Sequence, residues 1–188
     1  MTKPKILMIV GSLRSGSLNK QLANYIAECL KGNAEVESMD WSEFPLMNQD
    51  IEFPAPDAVT KAREQVRESD ALWFVSPEYN HGVPGGLKNA IDWLSRPLED
   101  GSASVIIGKL ATVSGVGGSA CTRYMSSALL PTLDFLKIQL APSDFTGVCY
   151  TRPEVETSKL EITEFISCSV AHQIDCLLDA IEKRKSSS

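Results

Sequence analysis

The chain has 188 residues, of which 43% are hydrophobic and 22% charged, and its formal net charge is −6. This composition excludes wholesale disorder, and the length predicts one domain over residues 1–182 followed by a disordered tail over 183–188. No apolar run reaches the roughly 18 residues of a membrane span, and an acidic chain without a basic stripe argues against nucleic-acid binding.

Predicted strands and helices alternate along the chain. Short apolar runs bounded by glycine or polar residues predict the strands, whereas apolar positions three or four apart predict the helices. Alternation of this kind is typical of a parallel α/β sheet with helices on both faces, in which ligands bind at the carboxyl ends of the strands. The strands are predicted at 5–10, 34–39, 71–75, 105–114, 138–140 and 146–150, and the helices at 19–31, 57–69 (with Asp57 as N-cap), 87–95, 119–130 and 162–181.

The cysteines are odd in number and form no Cys-x-x-Cys pair. The apolar run before Gly11, residues 6–10, has only five residues, too few for a signal-peptide core. We therefore expect a cytoplasmic protein with reduced thiols rather than a disulfide framework. Cys168, His172 and Cys176 leave a metal site open as an alternative, but buried helix positions are the favoured interpretation and no metal is expected. The cysteines are Cys29, Cys121, Cys149, Cys168 and Cys176.

The first loop after a predicted strand, residues 11–19, also opens a predicted helix. Ser12, Ser15, Ser17 and Asn19 offer short polar side chains beside the unpaired amides of the first helical turn, a combination that binds phosphate. The loop matches neither the ATPase P-loop nor the Gly-x-Gly-x-x-Gly pattern of dinucleotide sites. An ordinary capped turn is the alternative.

Two further loops follow strands. In residues 76–86 several prolines and glycines fix the backbone path, so that main-chain groups, the Tyr79 ring and the Asn80 amide are able to contact a flat polar heterocycle. His81 is either a general acid or base or a surface histidine bonded to backbone. In residues 114–119 the glycines serve either close approach to a ligand or a tight turn.

Two of these segments together resemble the NADPH-dependent FMN reductase family, which includes quinone, chromate and azo-dye reductases. The Gly-Ser-Leu-Arg-Ser-Gly-Ser-Leu-Asn sequence at 11–19 is similar to the family's phosphate loop. Pro-Glu-Tyr-Asn at 77–80, continued by 84–97, is similar to its flavin-ring segment. The resemblance runs from about residue 5 to 150, and the chain beyond Pro142 departs from it most.

The resemblance implies a flavodoxin-like three-layer sandwich with a five-stranded parallel sheet of order 2-1-3-4-5. It also implies non-covalent FMN, NADPH or NADH as co-substrate, a small-molecule electron acceptor, a homodimer or homotetramer, and no catalytic side chain. The positions that match the family's cofactor contacts are Ser12, Arg14, Ser17, Leu18, Asn19, Pro77, Glu78, Tyr79, Asn80, Ser114, Gly117 and Gly118.

The expected reaction is a ping-pong transfer of a hydride from NAD(P)H to FMN and on to quinones, azo dyes, chromate or ferric complexes. Arg14 has a second candidate role, binding the 2′-phosphate of NADPH, because a guanidinium suits phosphate geometry. Two alternatives remain: a flavodoxin-type electron carrier without NAD(P)H oxidation, and a regulatory domain without flavin. Trp93, Tyr124 and Phe135 suit either the core or contacts between subunits.

Overall fold

The computed structural model describes residues 3–143 and 145–186. Its strands pair in parallel in the order β2-β1-β3-β4-β5, and β6 pairs with β4. The predicted parallel sheet of order 2-1-3-4-5 is therefore confirmed, with a small sixth strand added. The strands are β1 (Lys5–Val10), β2 (Glu35–Ser38), β3 (Ala71–Val75), β4 (Leu110–Gly117), β5 (Gln139–Leu140) and β6 (Thr146–Cys149).

The last two strands share one neighbour because β4 is long. Its first residues, Leu110 and Ala111, pair with β5, and residues 114–117 pair with β6. The fifth position of the sheet is thus filled by two short pieces of chain in succession. The second piece extends the sheet at the carboxyl end of β4, where ligands bind in folds of this class.

Helices cover both faces of the sheet. Strand side chains alternate between the faces, so Ile6 and Met8 join the core under α1 and α6, while Leu7 and Ile9 join the core under α2, α3 and α4. Both faces are apolar, as expected of a parallel sheet enclosed between two helical layers. The helices are α1 (Leu18–Leu30), α2 (Asp57–Glu68), α3 (Gly85–Leu94), α4 (Arg123–Phe135), α5 (Arg152–Thr157) and α6 (Glu164–Ser186).

Several predicted boundaries differ from the structure. The fourth strand begins at Leu110 rather than 105, and the segment 115–117, predicted as a loop, belongs to it because it pairs with β6. Asp57 is the first residue of α2 rather than its N-cap, a position held by Pro56. Residues 183–186, assigned to a disordered tail, form the last turn of α6, and Ser187 and Ser188 lie outside the described residues.

A buried polar network joins α6 to the sheet. Gln173 is 1% exposed, and its amide nitrogen donates to Thr112 Oγ1 and to the Val113 carbonyl, both at 2.9 Å. The Ser114 hydroxyl donates to Gln173 Oε1 at 2.8 Å and accepts from Trp73 Nε1 at 3.0 Å. Every polar group of this network is thus paired, so its hydrogen bonds offset the free-energy cost of removing these groups from water.

Replacing Gln173 by leucine is expected to destabilise the fold by about 1–3 kcal/mol, because buried polar partners lose their hydrogen bonds. Urea denaturation followed by circular dichroism measures the free energy of unfolding. The matched control is His172→Leu on the exposed side of the same helix, which is expected to change it by less than about 0.5 kcal/mol. Equal effects of the two substitutions would contradict this role for Gln173.

No helix within the described ranges combines the length and apolar composition needed to cross a bilayer.

Candidate functional site

The three loops singled out in the sequence meet at the carboxyl edge of the sheet. The Gly11 amide donates to the Val75 carbonyl at 2.9 Å, which joins the first loop to the end of β3. The Ser76 amide donates to the Ser114 carbonyl at 3.0 Å, which joins the second loop to β4. The loops therefore form one continuous rim.

Two glycines allow this close approach. A Cβ atom at Gly11 would lie 2.5 Å from Ser76 Oγ, and one at Gly115 would collide with the Ser76 carbonyl oxygen. A larger residue at Gly115 would push the strand ends apart, and one at Gly11 would displace the Ser76 side chain. These glycines therefore serve backbone packing within the rim.

The first loop presents hydrogen-bond donors at the start of α1. Ser17 is the N-cap, and its hydroxyl accepts from the Lys20 amide at 3.2 Å. The amides of Leu18 and Asn19 lie in the first turn, where no intrahelical acceptor exists. Ser12 is 5% exposed, and within residues 3–143 and 145–186 nothing hydrogen-bonds to its hydroxyl. Together these groups are a set of hydrogen-bond donors whose chemistry suits an anion such as phosphate.

Arg14 lies in the same loop and is anchored from outside it. Its guanidinium donates to Ser158 Oγ at 2.8 Å and to the Gly16 carbonyl at 3.2 Å. Gln21 reinforces the contact, because its side chain donates to the Ser158 carbonyl and accepts from the Leu160 amide, both at 2.9 Å. The segment after α5 thus braces the first loop and places a positive charge beside its amides.

Glu154 organises the bracing segment. Its carboxylate accepts from the Thr151 amide and hydroxyl and from the Glu161 amide, at 2.6 to 2.9 Å. Burial acts to raise the pKa of Glu154, but these hydrogen bonds outweigh it, and the pKa lies below its usual value. The carboxylate is therefore ionised at neutral pH and joins the start of α5 to the segment that follows this helix.

Asn19 connects the first and third loops. Its side-chain nitrogen donates to the Val116 carbonyl and its oxygen accepts from the Val116 amide, both at 2.8 Å. Both polar atoms of this buried amide are thus engaged with β4.

The second loop makes a tight turn. The amide of Tyr79 donates to the Gly82 carbonyl at 3.2 Å, and the amide of Gly82 donates to the Tyr79 carbonyl at 3.0 Å. Between them Asn80 and His81 have positive φ angles of 50° and 57°. Pro77 is buried whereas the Tyr79 side chain is 51% exposed, so an aromatic ring stands at the rim.

Glu78 ties the second loop to α4. Its carboxylate accepts from the amides of Tyr124 and Met125 at 2.8 and 2.9 Å, in the first turn of that helix. The His81 ring stacks on Tyr124 with 4.3 Å between ring centroids. These contacts place the imidazole against an aromatic ring beside the rim.

The third loop is shorter than predicted. Gly117 ends β4, and the half-buried Gly118 follows it. The Ser114 hydroxyl takes part in the Trp73 and Gln173 network, so this residue contributes its backbone rather than its side chain to the rim.

Tyr150 stands beside this loop and was not singled out in the sequence. Its amide donates to the Gly117 carbonyl at 2.8 Å, and its hydroxyl would lie 3.4 Å from a Cβ at Gly118.

Trp41 is a second contributor that sequence reasoning missed. Its indole nitrogen donates to the Val10 carbonyl at 2.9 Å, and its ring fills the space where Gly86 would otherwise carry a side chain. The residue lies in the long loop 41–56, and the available signal was a tryptophan two positions after the predicted strand 34–39. It closes the side of the rim next to the first loop.

The expectation of reduced thiols is wrong for two cysteines. Cys121 and Cys149 form a disulfide, because the β4–α4 connection and the end of β6 bring their Cα atoms to 4.3 Å although 28 positions separate them. Cys29, Cys168 and Cys176 are free. Cys176 Sγ lies 3.7 Å from His172 Nε2, but no group of three or more candidate ligands occurs among the described residues.

The donor set at the rim fits flavin mononucleotide. Hydroxyls and free amides at a helix start suit its phosphate, and an arginine supplies a charge. The backbone of the second and third loops offers amides and carbonyls at the neighbouring strand ends, as a flat heterocycle with polar edges requires.

Comparisons with known proteins point to the same chemistry. The profile of the NADPH-dependent FMN reductase family matches residues 4–149. An NAD(P)H-dependent FMN reductase of Pseudomonas aeruginosa is 42% identical over 134 residues, 69% of this chain and 71% of that protein. A quinone reductase of Escherichia coli is 32% identical over 164 residues, 84% of this chain and 85% of that protein.

A solved structure shares nearly the whole fold. The flavoenzyme NAD(P)H:(acceptor) oxidoreductase FerB of Paracoccus denitrificans matches with a TM-score of 0.84 and 26% identity over 96% of this chain and 98% of that one. With the rim, the family profile and these relatives in agreement, the chain belongs to the NADPH-dependent FMN reductase family and is an oxidoreductase that uses FMN with NAD(P)H as co-substrate.

Proposed function

We propose that this protein transfers two electrons from NAD(P)H through FMN to a quinone or a similar acceptor, such as an azo dye, chromate or a ferric complex, by a ping-pong mechanism. The convergence of three strand-end loops on one rim, with a helix start at one side, carries this proposal. The quinone reductase among the relatives supports the choice of acceptor.

The first loop is proposed to bind the phosphate of FMN. The hydroxyls of Ser12 and Ser17 and the amides of Leu18 and Asn19 would hold its oxygens, with the Arg14 guanidinium beside them. The Asn19 side chain acts as a positioning group, because its bonds to Val116 keep the start of α1 over the end of β4.

The second and third loops are proposed to hold the isoalloxazine. Pro77, Tyr79 and Asn80 would lie along the ring, and Glu78 would fix their loop by capping α4. The third loop would contribute backbone at Ser114, Gly117 and Gly118.

Bound FMN would supply the redox chemistry, accepting a hydride from NAD(P)H and passing two electrons on. The chain's own contribution is binding and orientation, which bring the reactants to a productive distance. Backbone amides of the second loop that the Tyr79–Gly82 turn leaves unused would be preorganised hydrogen-bond donors to the bound ring. No side chain is required as a nucleophile.

The proposed function makes a visible prediction. Apo-protein is expected to take up FMN and turn yellow, NAD(P)H is expected to bleach it under argon, and a quinone is expected to restore the colour. Double-reciprocal plots of initial rate against NAD(P)H at several quinone concentrations are expected to give parallel lines, because oxidised nicotinamide leaves before the quinone binds.

The rival functions give different results. An electron carrier would stay yellow with NAD(P)H until a separate reductase is added, and a flavin-free regulatory domain would stay colourless with FMN. Lines that intersect would contradict the ping-pong mechanism while leaving the oxidoreductase activity intact.

Arg14 is proposed to bind the 2′-phosphate of NADPH. Arg14→Ala is expected to raise KM for NADPH about tenfold and to change KM for NADH less than about twofold, since a charge-assisted hydrogen bond contributes roughly 1.5–3 kcal/mol. Steady-state kinetics with both nucleotides provides the measurement.

Arg152→Ala is the matched control, because this guanidinium is 89% exposed and pairs with Glu156 on α5. It is expected to leave both KM values unchanged. An equal rise for NADPH and NADH in Arg14→Ala would overturn the 2′-phosphate role and point to the FMN phosphate instead.

We further propose that the protein is located in the cytoplasm, where NAD(P)H is available; cell fractionation tests the location.

We also propose that the protein forms a homodimer or a homotetramer. Phe135 is 82% and Tyr124 40% exposed on α4, and exposed aromatic residues favour contacts between subunits. Trp93, by contrast, is fully buried. Light scattering is expected to give two or four times the chain mass, and the mass of one chain would contradict assembly.

A further inference from the structure

The disulfide between Cys121 and Cys149 lies directly beside the third loop. Cys149 is the register partner of Gly117, and the Cys121 amide donates to the Gly118 carbonyl at 2.8 Å. Both sulfur atoms lie within 4.0 Å of the Ser119 carbonyl oxygen. The disulfide therefore lies directly against Gly117 and Gly118, whose backbone we assign to the FMN site.

The connection that carries this disulfide has an unfavourable backbone. Cys121 and Thr122 are consecutive residues with φ angles of 47° and 59°, a left-handed conformation in which the Cβ atom of an L-residue is crowded. For a β-branched residue such as Thr122 this conformation is rare. A backbone of this kind persists only where surrounding contacts impose it.

Residues 119–122 pack closely against the neighbouring strands and loops. The Cys121 carbonyl oxygen lies so close to Gly147 that a Cβ there would collide with it, and Thr122 packs against Gly117 in the same way. Just beyond Thr122, the amide of Tyr124 donates to the carboxylate of Glu78 in the second loop. A shift of residues 119–122 would thus move backbone in both the second and the third loop.

We propose that the Cys121–Cys149 disulfide holds the third loop in its FMN-binding conformation, and that reduction of this bond lowers the affinity for FMN. This inference rests on the proposed FMN site. Thiol redox conditions would then set how much of the protein carries its cofactor.

The exchange chemistry needs only a dithiol. Cys149 is exposed and Cys121 half-buried, so one thiolate of dithiothreitol is able to attack a sulfur of the pair. The protein S–S bond breaks, and a mixed disulfide forms between the protein and the reagent. The second thiol of the reagent then attacks this mixed disulfide and releases the second protein thiol. The protein gains two thiols and the reagent becomes a cyclic disulfide, so atoms and electrons balance. Glutathione disulfide reverses the change and leaves two glutathione thiols.

The test compares FMN affinity in the two redox states of the unmodified chain. Apo-protein is treated with glutathione disulfide or with dithiothreitol, desalted under argon and titrated with FMN by flavin fluorescence. Alkylation and mass spectrometry count the thiols, expected to be three in the oxidised and five in the reduced protein. We expect about tenfold weaker binding after reduction, equivalent to about 1.4 kcal/mol.

A second readout needs no cofactor. Amide hydrogen exchange in residues 118–122 of the apo-protein is expected to be faster after reduction, because the connection loses its covalent constraint. Cys121→Ser and Cys149→Ser are expected to reproduce the reduced affinity and to show no response to dithiothreitol. Cys168→Ser on α6 is the matched control and is expected to respond like the unmodified chain.

Equal FMN affinities in the three-thiol and five-thiol proteins would overturn this inference alone. Five free thiols after treatment with glutathione disulfide would overturn it as well, because the bond would then not form. Absence of FMN binding in both states would overturn the proposed function together with it.

Discussion

The two hydrogen bonds between the Asn19 side chain and the Val116 backbone are the interaction on which the site depends. They fix the start of α1, with its unpaired amides, over the end of β4. Without them the proposed phosphate site and the third loop would be independent features of the fold. Because both polar atoms of the amide are engaged and buried, the link is directional and costly to break.

Other contacts extend this constraint around the rim. Glu78 joins the second loop to α4, Ser158 braces Arg14 from the segment after α5, and the disulfide closes the third loop against β6. In each case a side chain from one loop bonds to a neighbouring element. A flavin site built this way is largely preorganised, since its loops are tied to one another rather than to the ligand.

This arrangement explains why the chemistry needs so few special side chains. Parallel strands of a three-layer sheet deliver several backbone segments to one edge, and FMN would supply the electron transfer. The chain belongs to the NADPH-dependent FMN reductase family, whose profile matches residues 4–149. The disulfide places thiol chemistry next to the cofactor's proposed position.

The sequence by itself determined the alternation of strands and helices, the parallel sheet and the two motifs at 11–19 and 77–80, because periodicity and loop composition are local properties. It did not determine which polar groups stay free for a ligand. Only the tertiary structure engaged the side chains of Asn19 and Ser114 with the sheet and paired Cys121 with Cys149, since these contacts join residues 28 to 97 positions apart. Pairing across such separations is set by the packing of strand ends, which local sequence patterns do not encode.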